Sequence, residues 1–137
     1  MAEREDWLLW LKRADSNIRL AKLGEGKGVA YEDLCFEAQQ AAEKALKALL
    51  IYHGDHFPKV HSFAVLLERL EKWLRIPKEI QRVLDLSDYA VQTRYPGDYF
   101  PVKKVEYKKA VKISENVVGW AQKVVQRSEG YYERVDK

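Results

Sequence analysis

Between Tyr31 and His53 the chain reads YEDLCFEAQQAAEKALKALLIYH, the longest unbroken helical pattern in the sequence. At 3.6 residues per turn, Leu34, Ala38, Ala41, Ala42, Ala45, Leu46, Leu49 and Tyr52 share one broad arc. That arc is too wide for one neighbour to cover. Its alanines favour helix and let a packed helix approach closely, so the pattern predicts a central helix touched by two or more others. Cys35 lies on the apolar side as a small core residue, and as the single cysteine it has no internal disulfide partner. Gln39 falls at the edge of the arc and, partly buried, needs a partner such as a neighbouring backbone group. Glu37, Gln40, Glu43, Lys44 and Lys47 fall on the opposite arc, where acid and base can pair at helical spacing; this predicts a solvated, self-neutralised face. Phe36 and Ile51 sit among those charges and would be stranded unless another helix or a second subunit covers them.

The same periodicity predicts four more helices around this one. Glu5 to Leu23 carries Trp7, Trp10, Leu11, Ala14, Ile18 and Ala21 as a stripe, with Glu3, Glu5 and Asp6 at the end where negative charge suits the helix dipole. GEGKG, from Gly24 to Gly28, follows a helix and lacks the GK[ST] ending of a phosphate loop, so it reads as a turn. Gly54 is placed to close the central helix and Pro58 to block its restart. A third helix is expected over Ser62 to Leu74, with Ser62 as N-cap and Phe63, Leu66, Leu67, Leu70 and Trp73 inward. A fourth is expected from Pro77 to Gln92, and a fifth from Val102 to Glu129. The fifth is valine-rich and therefore dependent on packing, and the tail GYYERVDK is expected to fray. No stretch alternates as a strand does. Five helices joined by short loops imply an all-α, up-and-down bundle.

A chain of 137 residues, 47% hydrophobic, suits one domain with a single core, here about residues 6–128. No run approaches the roughly 18 apolar residues that a membrane span needs, and the start MAEREDW is charged, so a cytoplasmic protein is expected. A net charge of +3 permits contact with nucleotides or RNA without demanding it.

Two constellations carry chemistry. His53, His56 and His61 cluster around the turn after the central helix, but they lack the further Cys or carboxylate ligands of a tetrahedral site, so no metal or other cofactor is expected. His61, beside Lys59, opens the third helix, where free N–H groups and a protonatable ring suit an anionic ligand. The second is Arg94, Tyr95 and Tyr99 in TRYPGDYFP. A guanidinium binds phosphate bidentately and aromatic rings stack on bases, yet the same arginine can equally answer the last carbonyls of a helix. No Ser or Cys nucleophile stands beside a histidine in an evident motif.

CFEAQQAAEKALKALLIYHG, FPKVHSFAVLLERL and DYAVQTRYPGDY together resemble the HEPN domain, over about Asp6 to Ser128. The resemblance implies a five-helix bundle, commonly a homodimer with a ligand groove at or near the interface, and Phe36 and Ile51 would fit such a contact. Many HEPN proteins are ribonucleases, often toxins, that use an Arg followed after four to six residues by a His. Here the motif would begin at Arg94, but four residues intervene and Tyr99 stands where histidine is required. The chain is thus similar to small HEPN proteins that partner minimal nucleotidyltransferases, for which binding is the implied role. Arg94 would hold phosphate, Tyr95 or Tyr99 would stack, and Lys59 and His61 would be secondary contacts. The alternatives are a ribonuclease pairing His61 with Arg94, and a scaffold for a protein partner.

Overall fold

The computed structural model describes residues 2–55, 62–87 and 101–136, with side chains for 6–55, 62–87 and 101–128. Among these residues there are five α-helices and no strand. They are α1 (Ala2–Leu23), α2 (Tyr31–Tyr52), α3 (Phe63–Leu70), α4 (Lys78–Gln81) and α5 (Lys104–Asp136), with a 3-10 turn, Arg82–Leu86, directly after α4. The all-α bundle that periodicity predicts is present. None of the described helices is long and apolar enough to cross a membrane.

α2 is the centre. Ala38, Ala41, Ala42, Ala45, Leu46 and Leu49 are fully buried, with α1 and α5 against it. Its neighbours run in opposite senses. Asn17 of α1 reaches both Glu37 and Lys44, while Trp7 meets Tyr52 and Tyr107 of α5 bonds the Ala21 carbonyl, so α1 is antiparallel to both α2 and α5. Glu32 with Val102, Tyr31 with Tyr107 and Ala38 with Ser114 advance together, so α2 and α5 are parallel. Ser114 is a polar residue wholly inside the core, and its hydroxyl donates to the Ala38 carbonyl at 2.7 Å. That bond satisfies a group whose burial without a partner would cost a few kcal/mol. Alanine on α2 is what lets the two backbones come this near.

The ends of α2 are defined by local chemistry. Gly24 packs so closely that an added Cβ would collide with Leu34, and Gly26 and Gly28 take positive φ, so GEGKG is a tight turn. At the other end Gly54 has φ of +83°, its N–H bonding the Ile51 carbonyl while the Asp55 N–H bonds that of Leu50. This Schellman arrangement satisfies carbonyls that the helix itself leaves free. Ser62 caps α3 as expected, its hydroxyl accepting from the Val65 N–H.

Four expectations need correction. α3 ends at Leu70, so Trp73 stands beyond the helix and is 42% exposed, stacked on His53 with ring centroids 5.4 Å apart. The expected fourth helix is interrupted: Lys78–Gln81 is α-helical, Arg82–Leu86 tightens to 3-10, Ser87 is helical again, and residues 88–92 lie outside the described residues; Ile80, Val83 and Leu86 are buried, and that i, i+3, i+6 spacing suits three residues per turn. α5 continues through the tail to Asp136. The fourth correction concerns α2, whose charged arc is not a solvated face: Glu43 and Lys47 are both buried.

Candidate functional site

Arg94, Tyr95, Tyr99, Lys59 and His61 lie outside the described residues, as does His56; the anchors of their two segments do not. Before the first segment, Asp55 is buried and accepts two hydrogen bonds from the Arg69 guanidinium, at 2.7 and 3.1 Å. The carboxylate holds the Arg69 pKa above its ordinary value, chiefly through this hydrogen bond. Gly54 turns the chain and the bidentate pair ties it to α3, so the segment leaves α2 from a fixed point. After the second segment, the Val102 N–H donates to the Glu32 carboxylate at 2.6 Å and Val102 is buried. A carboxylate of the first turn of α2 thereby serves the free N–H groups that precede α5.

Between these anchors α2 presents a line of polar side chains. Lys47 is 4% exposed and its ammonium donates to Glu43 at 3.0 Å. The same ammonium lies 5.7 Å from the Trp10 ring, a cation–π contact. One turn away the Lys44 ammonium donates to Asn17 at 2.7 Å, and the Asn17 amide donates to Glu37 at 2.6 Å. Gln39 is more deeply buried than an edge position would be, and its Oε1 finds no hydrogen-bond partner among the described residues. The backbone partner expected for it is therefore not found for that oxygen.

Among the described residues, three of the cavities that flank these helices differ in charge. One, about 660 Å³ between α1 and α5, contains Trp7, Lys12, Arg19 and Gln122, but its arginine is engaged by Asp15 at 2.7 Å. A second, about 350 Å³, is lined by Leu20, Leu23, Val29 and Leu34 with Asp33 and Glu37, the wrong sign for an anion. The third, about 320 Å³, is lined by Leu9, Trp10, Arg13 and Lys44, and Arg13 makes no ion pair among the described residues. An uncommitted guanidinium, an ammonium and an indole offer donors for phosphate and a ring for stacking.

Phe36 is 41% exposed on the same side of α2 as Lys44. Ile51 is half-buried and packs against the core, so the two residues expected to need cover differ in how much they still need. The described residues hold no activated nucleophile. Burial pushes the Cys35 thiol up to about 12, with Glu32 and Glu106 adding to the effect, so it stays protonated and inert. Burial lowers the pKa of His53, whose Nε2 has no hydrogen-bond partner among the described residues. No group of three His, Cys, Asp or Glu gathers as a metal site among those residues. Sequence reasoning missed Trp10, Arg13 and the buried Glu43–Lys47 pair. The available signal was Ile51, an apolar residue on the charged arc that packs against the core.

The HEPN domain model matches residues 7–124. The chain belongs to the HEPN family. A Methanocaldococcus jannaschii protein named "Putative toxin MJ1304" is 29% identical, with 80% of this chain and 82% of that protein covered. The crystal structure of TT1696 from Thermus thermophilus is similar at a TM-score of 0.76 and 29% identity, covering 85% of this chain and 96% of that one. ST0689, an archaeal HEPN homologue, is similar at 0.70 and 25%, covering 87% and 97%. As a HEPN protein, the chain shares the all-α bundle of these relatives.

Proposed function

We propose that this HEPN protein is a homodimer that binds a nucleotide or RNA phosphate without cleaving it, beside a nucleotidyltransferase-domain partner in a toxin–antitoxin-like module. The observation that carries this reading is the cavity lined by Leu9, Trp10, Arg13 and Lys44, with Phe36 open on the same side of α2. Phe36 meets a second copy and Ile51 completes the contact, so that the cavity becomes one wall of a cleft. Arg94 holds phosphate, Tyr95 or Tyr99 stacks or donates a hydrogen bond, and Lys59 and His61 add anion contacts. Family membership and the toxin name of the M. jannaschii relative support the module; Tyr99 in place of histidine supports binding over cleavage.

Calorimetric titration with ATP tests the site. Arg94→Ala is expected to abolish the binding heat while leaving the thermal midpoint unchanged; unaltered affinity would remove Arg94 from the site. The same preparation incubated with RNA tests the ribonuclease alternative. Cleavage that disappears in His61→Ala would replace the binding-only reading.

A further inference from the structure

The outer face of α5 carries a concentration of positive charge that the ATP-sized cleft does not use. From Lys104 to Ser128 the helix has six Lys or Arg against two Glu, a net of +4, while its last residues, 129–136, hold one Arg against two Glu and one Asp, a net of −2. Lys104, Lys108, Lys109, Lys112, Lys123 and Arg127 are all exposed. At 100° per residue they fall within one arc, opposite the buried arc of Tyr107, Ala110, Ser114, Val117, Ala121 and Val125. Lys108 is engaged by Glu25 at 2.9 Å, and Glu115, an acid on this face, is engaged by Lys22 at 3.1 Å. The other five cations make no ion pair among the described residues.

The contrast with residues 68–85 shows that this is not the protein's general surface. There Arg69, Lys72, Arg75, Lys78 and Arg82 are interspersed with Glu68, Glu71, Glu79 and Asp85, the mixed pattern of a solvated surface. On α5 the cations are left unanswered, at steps of about 6 Å where they recur every four residues. From Lys104 to Arg127 the stripe is about 35 Å long at 1.5 Å per residue, which matches about ten phosphates at 3.4 Å spacing along one strand. The cations form two groups, Lys104 to Lys112 and Lys123 to Arg127, and the face between them holds the Glu115–Lys22 pair and Gly119, which has open space around it.

We infer that the outer face of α5 is a sequence-independent docking surface for the phosphate backbone of a nucleic-acid strand. Like-charged side chains held along one face favour a linear polyanion, which releases counterions as it binds. An anionic lipid surface is the less suitable partner. A helix that lies in a membrane needs an apolar face to insert, and the apolar face of α5 is already packed in the core, with Val105 the one exposed large apolar residue of α5 among the described residues. The inference goes beyond the proposed nucleotide cleft and stands on separate residues.

The test is fluorescence anisotropy with a labelled 20-nucleotide single-stranded RNA of mixed sequence, from 50 to 200 mM salt. A variant carrying Lys109→Gln, Lys112→Gln, Lys123→Gln and Arg127→Gln keeps the long side chains and their helix propensity. It is expected to bind at least tenfold more weakly at 50 mM salt. Its plot of log affinity against log salt should be shallower by about 3, at about 0.7 per lost phosphate contact. A control with the same charge loss at Lys72, Arg75, Lys78 and Arg82 is expected to change affinity much less. ATP binding should persist in the α5 variant and be lost in Arg94→Ala, so failure of one site is distinguishable from failure of the other. Equal affinity and slope for the α5 variant and the native chain would overturn the inference. So would a native chain that ignores RNA but sediments with phosphatidylserine vesicles.

Discussion

Three residues at the end of α2 show how single side chains and single φ angles fix this fold. Gly54, at φ of +83°, lets the helix close on itself and aims Asp55 at Arg69. Gly54→Ala places a Cβ in the left-handed region and is expected to cost about 1 to 2 kcal/mol, read as a lower urea midpoint with unchanged slope. His53, next door, has a pKa lowered from 6.5 by burial. The unfolded chain therefore takes up the proton first. This contribution is complete above pH 6.5, and stability is lost as pH falls from there through the folded-state value. His53→Gln should flatten that part of the pH–stability curve. Cys35 gives a further test at the other end of the helix: with its pKa pushed up to about 12 it should resist a thiol reagent at neutral pH until urea unfolds the protein. Rapid labelling of the native state would contradict its burial.

At the scale of the helix, the alanine arc of α2 was legible in the sequence because a 3.6-residue period and small side chains have one simple consequence, close packing on several sides. Ala45 tests it: Ala45→Leu forces a larger side chain into a site with no exposure and is expected to cost about 1 to 3 kcal/mol in thermal or urea unfolding. The glycine stop at Gly54 and the serine cap at Ser62 were equally legible, since each rests on one local hydrogen-bond pattern. What local pattern could not supply was tertiary. The spacing of Ile80, Val83 and Leu86 fits both a helix and a tighter 3-10 turn, and the chain takes the latter after Gln81. Glu43 and Lys47 looked like a solvent pair because i, i+4 ion pairs usually are, and nothing in α2 alone reveals that Trp10 of α1 lies over the lysine. Valines in α5 lower its intrinsic propensity, yet the helix is continuous because Val111, Val117, Val118 and Val125 are held in the core, and it extends beyond them to Asp136.

Across the whole molecule, an antiparallel α1–α2 pair and a parallel α5 surround one continuous core, whereas the candidate site residues named from the sequence lie outside the described residues. The scaffold was therefore far more legible than the site. Arg94, Tyr95 and Tyr99 were found by motif, whereas Arg13, Lys44 and Trp10 come together only through the packing of α1 on α2. On the outer side of that packing Phe36 stays open, and a charge there should separate two copies if it lies between them. Sedimentation equilibrium of the native chain and of Phe36→Glu decides the matter most directly. The expected result is about twice the 16.0 kDa chain mass for the native protein and the single-chain mass for Phe36→Glu, with helicity unchanged. A native chain that sediments at 16.0 kDa up to high micromolar concentration would contradict it.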